Sequence, residues 1–361
     1  MPSHCPARVQ KNGRVRLSEA SSPKFETKRV TATNLGGPID LDKTLLSGQV
    51  FHWTRRADGS WSGLLGNEAV VVSEKNENLV LHQGPDDRVV RHFALDHPLE
   101  EIYAAFPEEP MSQSALAACR GMRILRQPRW ECTAAFITSS MKQVAHIRSM
   151  SLAIRSRFGE AVDGSDINAY PPFEVLAKAT VPALRECGLG YRAENLLKTA
   201  RLLADGTIDL EAIAKQPTAR LRQTLQMLPG VGVKVANCIL LFAYERLDAV
   251  PIDTWIHRIL LAMRKGRKGT PAQLAAYAHR RLGPYAGYVQ QYLFHHARMA
   301  KRGAALNPAS VFSVPFDSHA PARLALRANL RWSISKAPAF SIVVKTAGCG
   351  ATSPREARHQ K

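Results

Sequence analysis

No apolar run in this sequence approaches the roughly 20 residues that a membrane-spanning helix requires. The opening stretch, MPSHCPARVQKNGRVRLSEASSPKFETKRV, also lacks the apolar centre of a secretory signal, so a soluble intracellular protein with no membrane partner is expected. Cysteine is scarce and scattered. The six, at positions 5, 119, 132, 187, 238 and 349, form no C-x-x-C and no close pairs, which argues against a disulfide framework or a zinc site. They also offer no gathered set of four thiolates for an iron–sulfur cluster. Reduced, mostly buried thiols and no metal or other cofactor are the expectation. No internal repeat is evident.

Acidic residues are also in short supply. Asp and Glu number 30 against 49 Lys and Arg, a formal charge of +19, which suggests a polyanionic partner. The excess is uneven: residues 1–30 carry +5 and residues 301–361 carry +8, leaving +6 for the body. Solvated basic tails are often nonspecific, but the balance fits counterion release from nucleic-acid phosphates. Hydrophobic residues make up 45% of the 361, enough for two domains plus tails.

Residues 31–95 carry strand signals. QVFHWTRRADGSWSGLL sets two aromatic-rich runs around Asp58-Gly59, and AVVVSEKNENLVLHQ sets β-branched and apolar runs around a polar turn. From Asp96, read as an N-cap with Pro98 near the first turn, the pattern turns helical to about residue 300. ECTAAFITSSMKQVAHIRSMSLAIRSRFG places Phe136, Ile137, Val144, Ile147, Met150 and Ile154 on one helical face. The fold class expected is α+β: an N-terminal antiparallel β-sheet domain (33–120), then a mainly helical bundle (121–300). Basic tails, 1–32 and 301–361, are expected to be mostly disordered.

LPGVGVKVANCILLFAYERLDAVPID, residues 228–253, reads as a tight turn entering a helix. Pro229, Gly230 and Gly232 give the turn its conformational range, and the unpaired, positively poled amides of the following helix suit a phosphate. A helix–helix turn that binds nothing is the plainer alternative. Lys234 sits among Val233, Val235 and Ala236 near that helix start, where desolvation and the dipole both favour a neutral amine able to attack carbon. A lysine snorkelling to solvent beside a phosphate fits equally. Asp253 is a natural N-cap for TWIHRILLAM, and capping does not prevent it from facing Lys234.

The block LPGVGVKVANC…VPIDTW resembles the helix-hairpin-helix and following aspartate loop of base-excision DNA glycosylases. LSGQVFHW, WSGLLG, the Ser pair at 139–140, GLGYRAENL and GPYAGYVQQYLF resemble, in order, blocks of the 8-oxoguanine DNA glycosylase family, over about residues 33–300. The resemblance implies a bifunctional glycosylase and abasic-site lyase, monomeric, acting on double-stranded DNA that contains oxidised guanine. It would reside in the cytoplasm or nucleoid of a bacterium or the nucleus of a eukaryote.

By the same resemblance Lys234 is the nucleophile and Asp253 its electrostatic and acid–base partner. Gly48, Cys238, Gln290 and Phe294 line the pocket for the flipped base. Tyr191 fills the emptied stack, Arg192 holds the opposite cytosine, and Gly230 and Gly232 contact phosphate. This sequence departs from the family where Met141 and His146 replace an asparagine and an arginine near the estranged base, and where Trp255 replaces a phosphate-contacting histidine. Lys142, His257 or Arg258 then become candidates for redistributed phosphate contacts, and weaker opposite-base discrimination is expected. Two other readings stay open: a monofunctional glycosylase for alkylated bases, and a noncatalytic helix-hairpin-helix DNA-binding protein.

Overall fold

Val70 and Val72 of one strand and Leu79 and Leu81 of the next place alternate side chains in a common core, the period-two pattern of a pleated sheet. The computed structural model describes residues 28–30 and 36–304. Five strands, β1 (Lys28–Val30), β2 (Thr54–Arg55), β3 (Trp61–Leu65), β4 (Glu68–Lys75) and β5 (Asn78–Gln83), form one antiparallel sheet in the order β1-β5-β4-β3-β2. Asn76 and Glu77 join β4 to β5, both at positive φ (51° and 59°), the two-residue turn whose twist matches that of the strands.

The strand expectation for QVFHW is met only at its edge, because pairing begins at Thr54. Gln49 explains this. Its fully buried side chain donates to the carbonyls of Thr44 (3.0 Å) and Arg123 (2.8 Å) and accepts from the Leu125 amide (2.8 Å). The chain is thereby fixed as an irregular connector after helix α1 (Leu41–Leu46). Residues 84–95 also differ from expectation: Asp86–His92 is helix α2, with Asp86 and Asp87 in its favourable first turn.

Helices then follow to the end of the described chain: α3 (Leu99–Ala104), α4 (Pro110–Cys119), α5 (Arg129–Thr138), α6 (Val144–Phe158), α7 (Phe173–Ala177), α8 (Val181–Glu186), α9 (Arg192–Ala204), α10 (Thr218–Leu225), α11 (Val233–Ala243), α12 (Thr254–Met263), α13 (Pro271–Leu282) and α14 (Ala286–Ala304). Asp96 does not cap α3, whose N-cap is Pro98; its carboxylate takes the Arg126 guanidinium instead (2.9 Å). The single apolar face expected across residues 131–159 is divided between α5 and α6, with Met141 in the left-handed region (φ 55°) at the break.

Two apolar cores result, one under the sheet and one among the helices, and the connector after Gln49 contributes to both. Val50 and Trp53 pack in the first and Phe51 in the second. Burying side chains of this size stabilises by about 1.5–3 kcal/mol each, so residues 50–53 anchor the connector strongly where the two cores meet. The sheet and helices lie in one compact unit. Helix α14 runs four residues beyond position 300. The tails expected at 1–32 and 301–361 otherwise lie outside the described residues, except β1.

Candidate active site

Helices α10 and α11 flank the turn Gln226–Gly232. Gly230 is left-handed (φ 85°) and packs on Asn195 of α9, which a Cβ at position 230 would meet at 3.0 Å. Gly232 is different: φ is −85°, and it serves as the N-cap of α11 with no side chain to cap the helix. It is exposed, and nothing lies within 4 Å of where its Cβ would be. Only the first glycine is required by backbone conformation. The second leaves the amide end of α11 open to an anion.

Lys234, in the first turn of α11, is half-buried. Its Nζ lies 5.6 Å from the centre of the Phe136 ring. Phe136 stacks on Phe242 (5.4 Å, 9°) and meets Phe51 edge-on (5.9 Å, 72°), so the amine rests on an aromatic wall that includes the connector between the cores. Cys238, one turn further along α11, is buried. Burial pushes its thiol up, while the charge of Lys234 and a hydrogen bond to it pull the thiol back.

Asp253 caps α12 as expected, its Oδ1 accepting from the amides of Trp255 (3.0 Å) and Ile256 (2.9 Å). Burial raises its carboxyl above the ordinary aspartate value, against the Ile256 amide, the Lys234 charge and the Trp255 amide, which all lower it. Lys234 and Asp253 thus feel one another electrostatically. Asn237 explains how residues 19 apart in sequence are brought near. Its Nδ2 donates to the Val250 carbonyl (3.0 Å) and its Oδ1 accepts from Arg222 of α10 (2.9 Å). The approach to Asp253 is therefore tied to α11 within one turn of Lys234, a role sequence reasoning missed because Asn237 sits in an apolar run.

Gly48 lies at φ 87°, and a Cβ there would fall 2.8 Å from Arg298 Nη1, 2.9 Å from Val144 Cγ2 and 3.7 Å from the Phe294 ring. Its neighbours' carbonyls are occupied: Leu46 accepts from Arg298, Ser47 from Gln291 (3.2 Å) and Gln49 from Gln127 (2.7 Å). Among the described residues, no hydrogen bond reaches the Gly48 carbonyl. Gln290, one turn before Phe294 on α14 and so on the same face, is 3% exposed. Its Oε1 has no partner among the described residues. A buried acceptor without a donor is costly, and a ligand edge carrying N–H groups would satisfy both acceptors.

The remaining expected contacts separate into exposed and buried groups. Met141 is 72% exposed, and Lys142, His146, Tyr191, His257 and Arg258 are exposed as well. Arg192 is only 5% exposed: its guanidinium donates to the Ser140 carbonyl (Nε, 2.8 Å) and the Leu189 carbonyl (3.3 Å), and lies against the Tyr191 ring (4.3 Å). The Met141 turn and the start of α9 are therefore adjacent through Ser140. Trp255 is half-buried in the first turn of α12, with Lys301 Nζ 5.5 Å over its ring.

Among the described residues, no group of three or more His, Cys, Asp or Glu side chains is placed to hold a metal ion. A groove of about 570 Å³ between Asn67–Ala69, Gln83–Pro85 and Glu160–Asp163 contains none of the residues above. Its carboxylates, Glu68, Glu160 and Asp163, would repel a phosphate backbone.

Residues 32–133 match the family model described as the 8-oxoguanine DNA glycosylase N-terminal domain. A probable N-glycosylase/DNA lyase of Methanothermobacter thermautotrophicus is 32% identical over 297 residues, covering 73% of this chain and 94% of the relative. The N-glycosylase/DNA lyase OGG1 of Arabidopsis thaliana is 29% identical, covering 77% and 82%. A solved structure of MBOgg1 in complex with a low-affinity DNA ligand superposes with a TM-score of 0.71 at 27% identity, covering 78% of this chain and 98% of that one. With both its sheet region and its helix-hairpin-helix region accounted for, the chain belongs to the 8-oxoguanine DNA glycosylase family of N-glycosylase/DNA lyases.

Proposed function

We propose that this protein excises 8-oxoguanine from duplex DNA and cleaves the strand at the resulting abasic site, with Lys234 as nucleophile. The observation that carries this reading is the placement of Lys234 and Asp253, both half-buried, at the starts of two helices and coupled in charge, with the amine set against the Phe136 wall.

The C1′ of a stacked nucleotide cannot be reached, so the damaged nucleotide must first leave the helix. The amine of Lys234 then attacks C1′, the N-glycosyl bond breaks, and the base departs with the bonding electrons and takes up a proton. Ring opening of the sugar gives a Schiff base, and β-elimination breaks the strand 3′ to the lesion. Asp253 as a carboxylate stabilises the positive charge that develops on the sugar and assists the proton transfers. Its helix cap holds it in place for this.

Recognition rests on one atom's reversal. Guanine N7 is an acceptor, whereas 8-oxoguanine carries N7–H. The Gly48 carbonyl, without a hydrogen bond among the described residues, suits the lesion and repels the normal base. Phe294 provides the stacking face, Gln290 meets the pairing edge, and Cys238 closes the opposite side. On the DNA face, Tyr191 enters the vacated stack and Arg192 leaves the Ser140 carbonyl to reach the estranged base. Met141, Lys142, His146, Trp255 and the turn at Gly230 and Gly232 complete that face. A DNA-repair enzyme of this kind works where the chromosome is, in the nucleoid or nucleus.

The test is a gel of a duplex bearing one 8-oxoguanine, incubated with the full chain and run before and after alkali. Nicking without alkali is expected. Nicking only after alkali would leave a glycosylase without lyase chemistry, and an intact strand in both lanes would overturn the proposal.

A further inference from the structure

Two of the side chains that hold the recognition loop, Arg298 and Gln127, lie outside the family motifs. Arg298, two turns of α14 beyond Gln290 and one beyond Phe294, reaches back to the end of α1 and donates through Nη2 to the Leu46 carbonyl. The same guanidinium lies 5.4 Å over the Phe294 ring, is 3.4 Å from His295 Nδ1, and has Nη1 against Gly48. One group therefore touches both the loop that presents the recognition carbonyl and the ring expected to stack on the base.

Gln291 adds a second tie from the same helix, to the Ser47 carbonyl (3.2 Å), and Gln127 holds the Gln49 carbonyl (2.7 Å) from the other side. Gly48 must stay left-handed at φ 87°, a conformation that a chain without such ties leaves readily. With the carbonyls at 46, 47 and 49 all occupied, rotation of the loop to satisfy the carbonyl at 48 internally would break three hydrogen bonds. Of these four carbonyls, only that of Gly48 is left without a hydrogen bond among the described residues, beside the Phe294 ring.

We infer that Arg298 is a specificity-determining positioning residue: it pins the Leu46–Gly48 loop to Phe294, so that the Gly48 carbonyl and the stacking ring form one rigid slot for the N7–H edge of an oxidised purine. This rests on the function proposed above. Arg298 acts through Gly48 and Phe294 and takes no part in the chemistry of Lys234.

The experiment compares wild type, Arg298→Met and Arg298→Lys as full chains in two single-turnover assays. One measures base excision from a duplex carrying 8-oxoguanine, the other strand cleavage of a duplex carrying a preformed abasic site, which has no base to recognise. Misplacing a recognition group by about 1 Å costs about a hundredfold, so Arg298→Met should lower the ratio of excision to abasic cleavage by that order. Arg298→Lys, which can still reach the Leu46 carbonyl, should recover part of it. A ratio within threefold of wild type in Arg298→Met would overturn the inference, as would equal losses in both assays, which denote general structural support. Failure of wild type to excise 8-oxoguanine while still cleaving abasic duplex would instead refute the substrate assignment, and this inference with it.

Discussion

The amine of Lys234 lies over the face of Phe136, 5.6 Å from its centre, and within electrostatic reach of Asp253. A ring face attracts an ammonium by about 0.5–2 kcal/mol, depending on exposure, and so fixes where the amine points. Phe136 also belongs to the stack with Phe242 and Phe51, which makes the wall stiff. Phe136→Leu keeps an apolar surface but removes the ring face. It should slow borohydride trapping of the enzyme on lesion DNA by about tenfold and cost roughly 1 kcal/mol of stability. An unchanged trapping rate would show that the wall is only packing.

Asp253 caps α12, and one substitution separates that role from the catalytic one proposed for it. Asparagine caps helices about as well as aspartate, so Asp253→Asn should change the unfolding free energy by less than about 1 kcal/mol. Without the negative charge, base excision should fall by about a hundredfold or more. Because burial raises the carboxyl, the wild-type rate should decline with falling pH above the ordinary aspartate range, and this limb should vanish in the variant. Equal losses of stability and rate would reduce Asp253 to a cap.

Discrimination of the opposite base should be weak. Met141 is exposed and offers no hydrogen bond, and Arg192 is engaged with Ser140 before any DNA arrives. With few polar contacts left to cytosine, excision rates opposite the four bases should fall within about tenfold, the worth of one net hydrogen bond. A strict preference for cytosine, measured in the same duplex context, would contradict this.

Stability should depend on His92 in mild acid. Its Nδ1 donates to the Arg126 carbonyl (2.8 Å), its Nε2 has no partner among the described residues, and it is 4% exposed. Burial lowers its pKa to about 4, against the pull of the Arg126 carbonyl. Below its unfolded value near 6.5 the unfolded chain takes up a proton that the folded one refuses. Stability is therefore complete above that value and is lost as pH falls toward about 4, by about 3 kcal/mol. Urea unfolding between pH 7 and 5 should show a shallower slope in His92→Gln. The slope should not become flat, because His52, also lowered by burial, titrates in the same direction. An unchanged slope would contradict the assignment.

What was legible in the sequence was local. The β4–β5 hairpin follows from alternating apolar residues around a polar turn, and the α11 and α12 starts follow from Gly232 and Asp253. Helix caps and turns involve neighbours within four residues, so their signals survive without tertiary knowledge. The connector Gln49–Trp53 misled because aromatic and β-branched residues mark burial as readily as they mark strands. What decided its shape was one amide side chain reaching Thr44, Arg123 and Leu125.

Among the candidate site residues, Lys234 and Asp253 stood out in the sequence as charges beside apolar runs, and Gly48 only through the family resemblance. Phe136, Asn237 and Arg298 did not. Each sits in a helical pattern that packing alone would explain, and the contact from Arg298 to Leu46 joins residues 252 positions apart. No spacing rule connects such positions.

The central claim, an amine at position 234 bonding covalently to the sugar, is tested most directly by borohydride trapping on a duplex containing 8-oxoguanine. Wild type should give a stable protein–DNA adduct and Lys234→Gln none, with the variant's fold verified by its unfolding transition. An adduct that persists in a folded Lys234→Gln would place the nucleophile elsewhere and contradict the account.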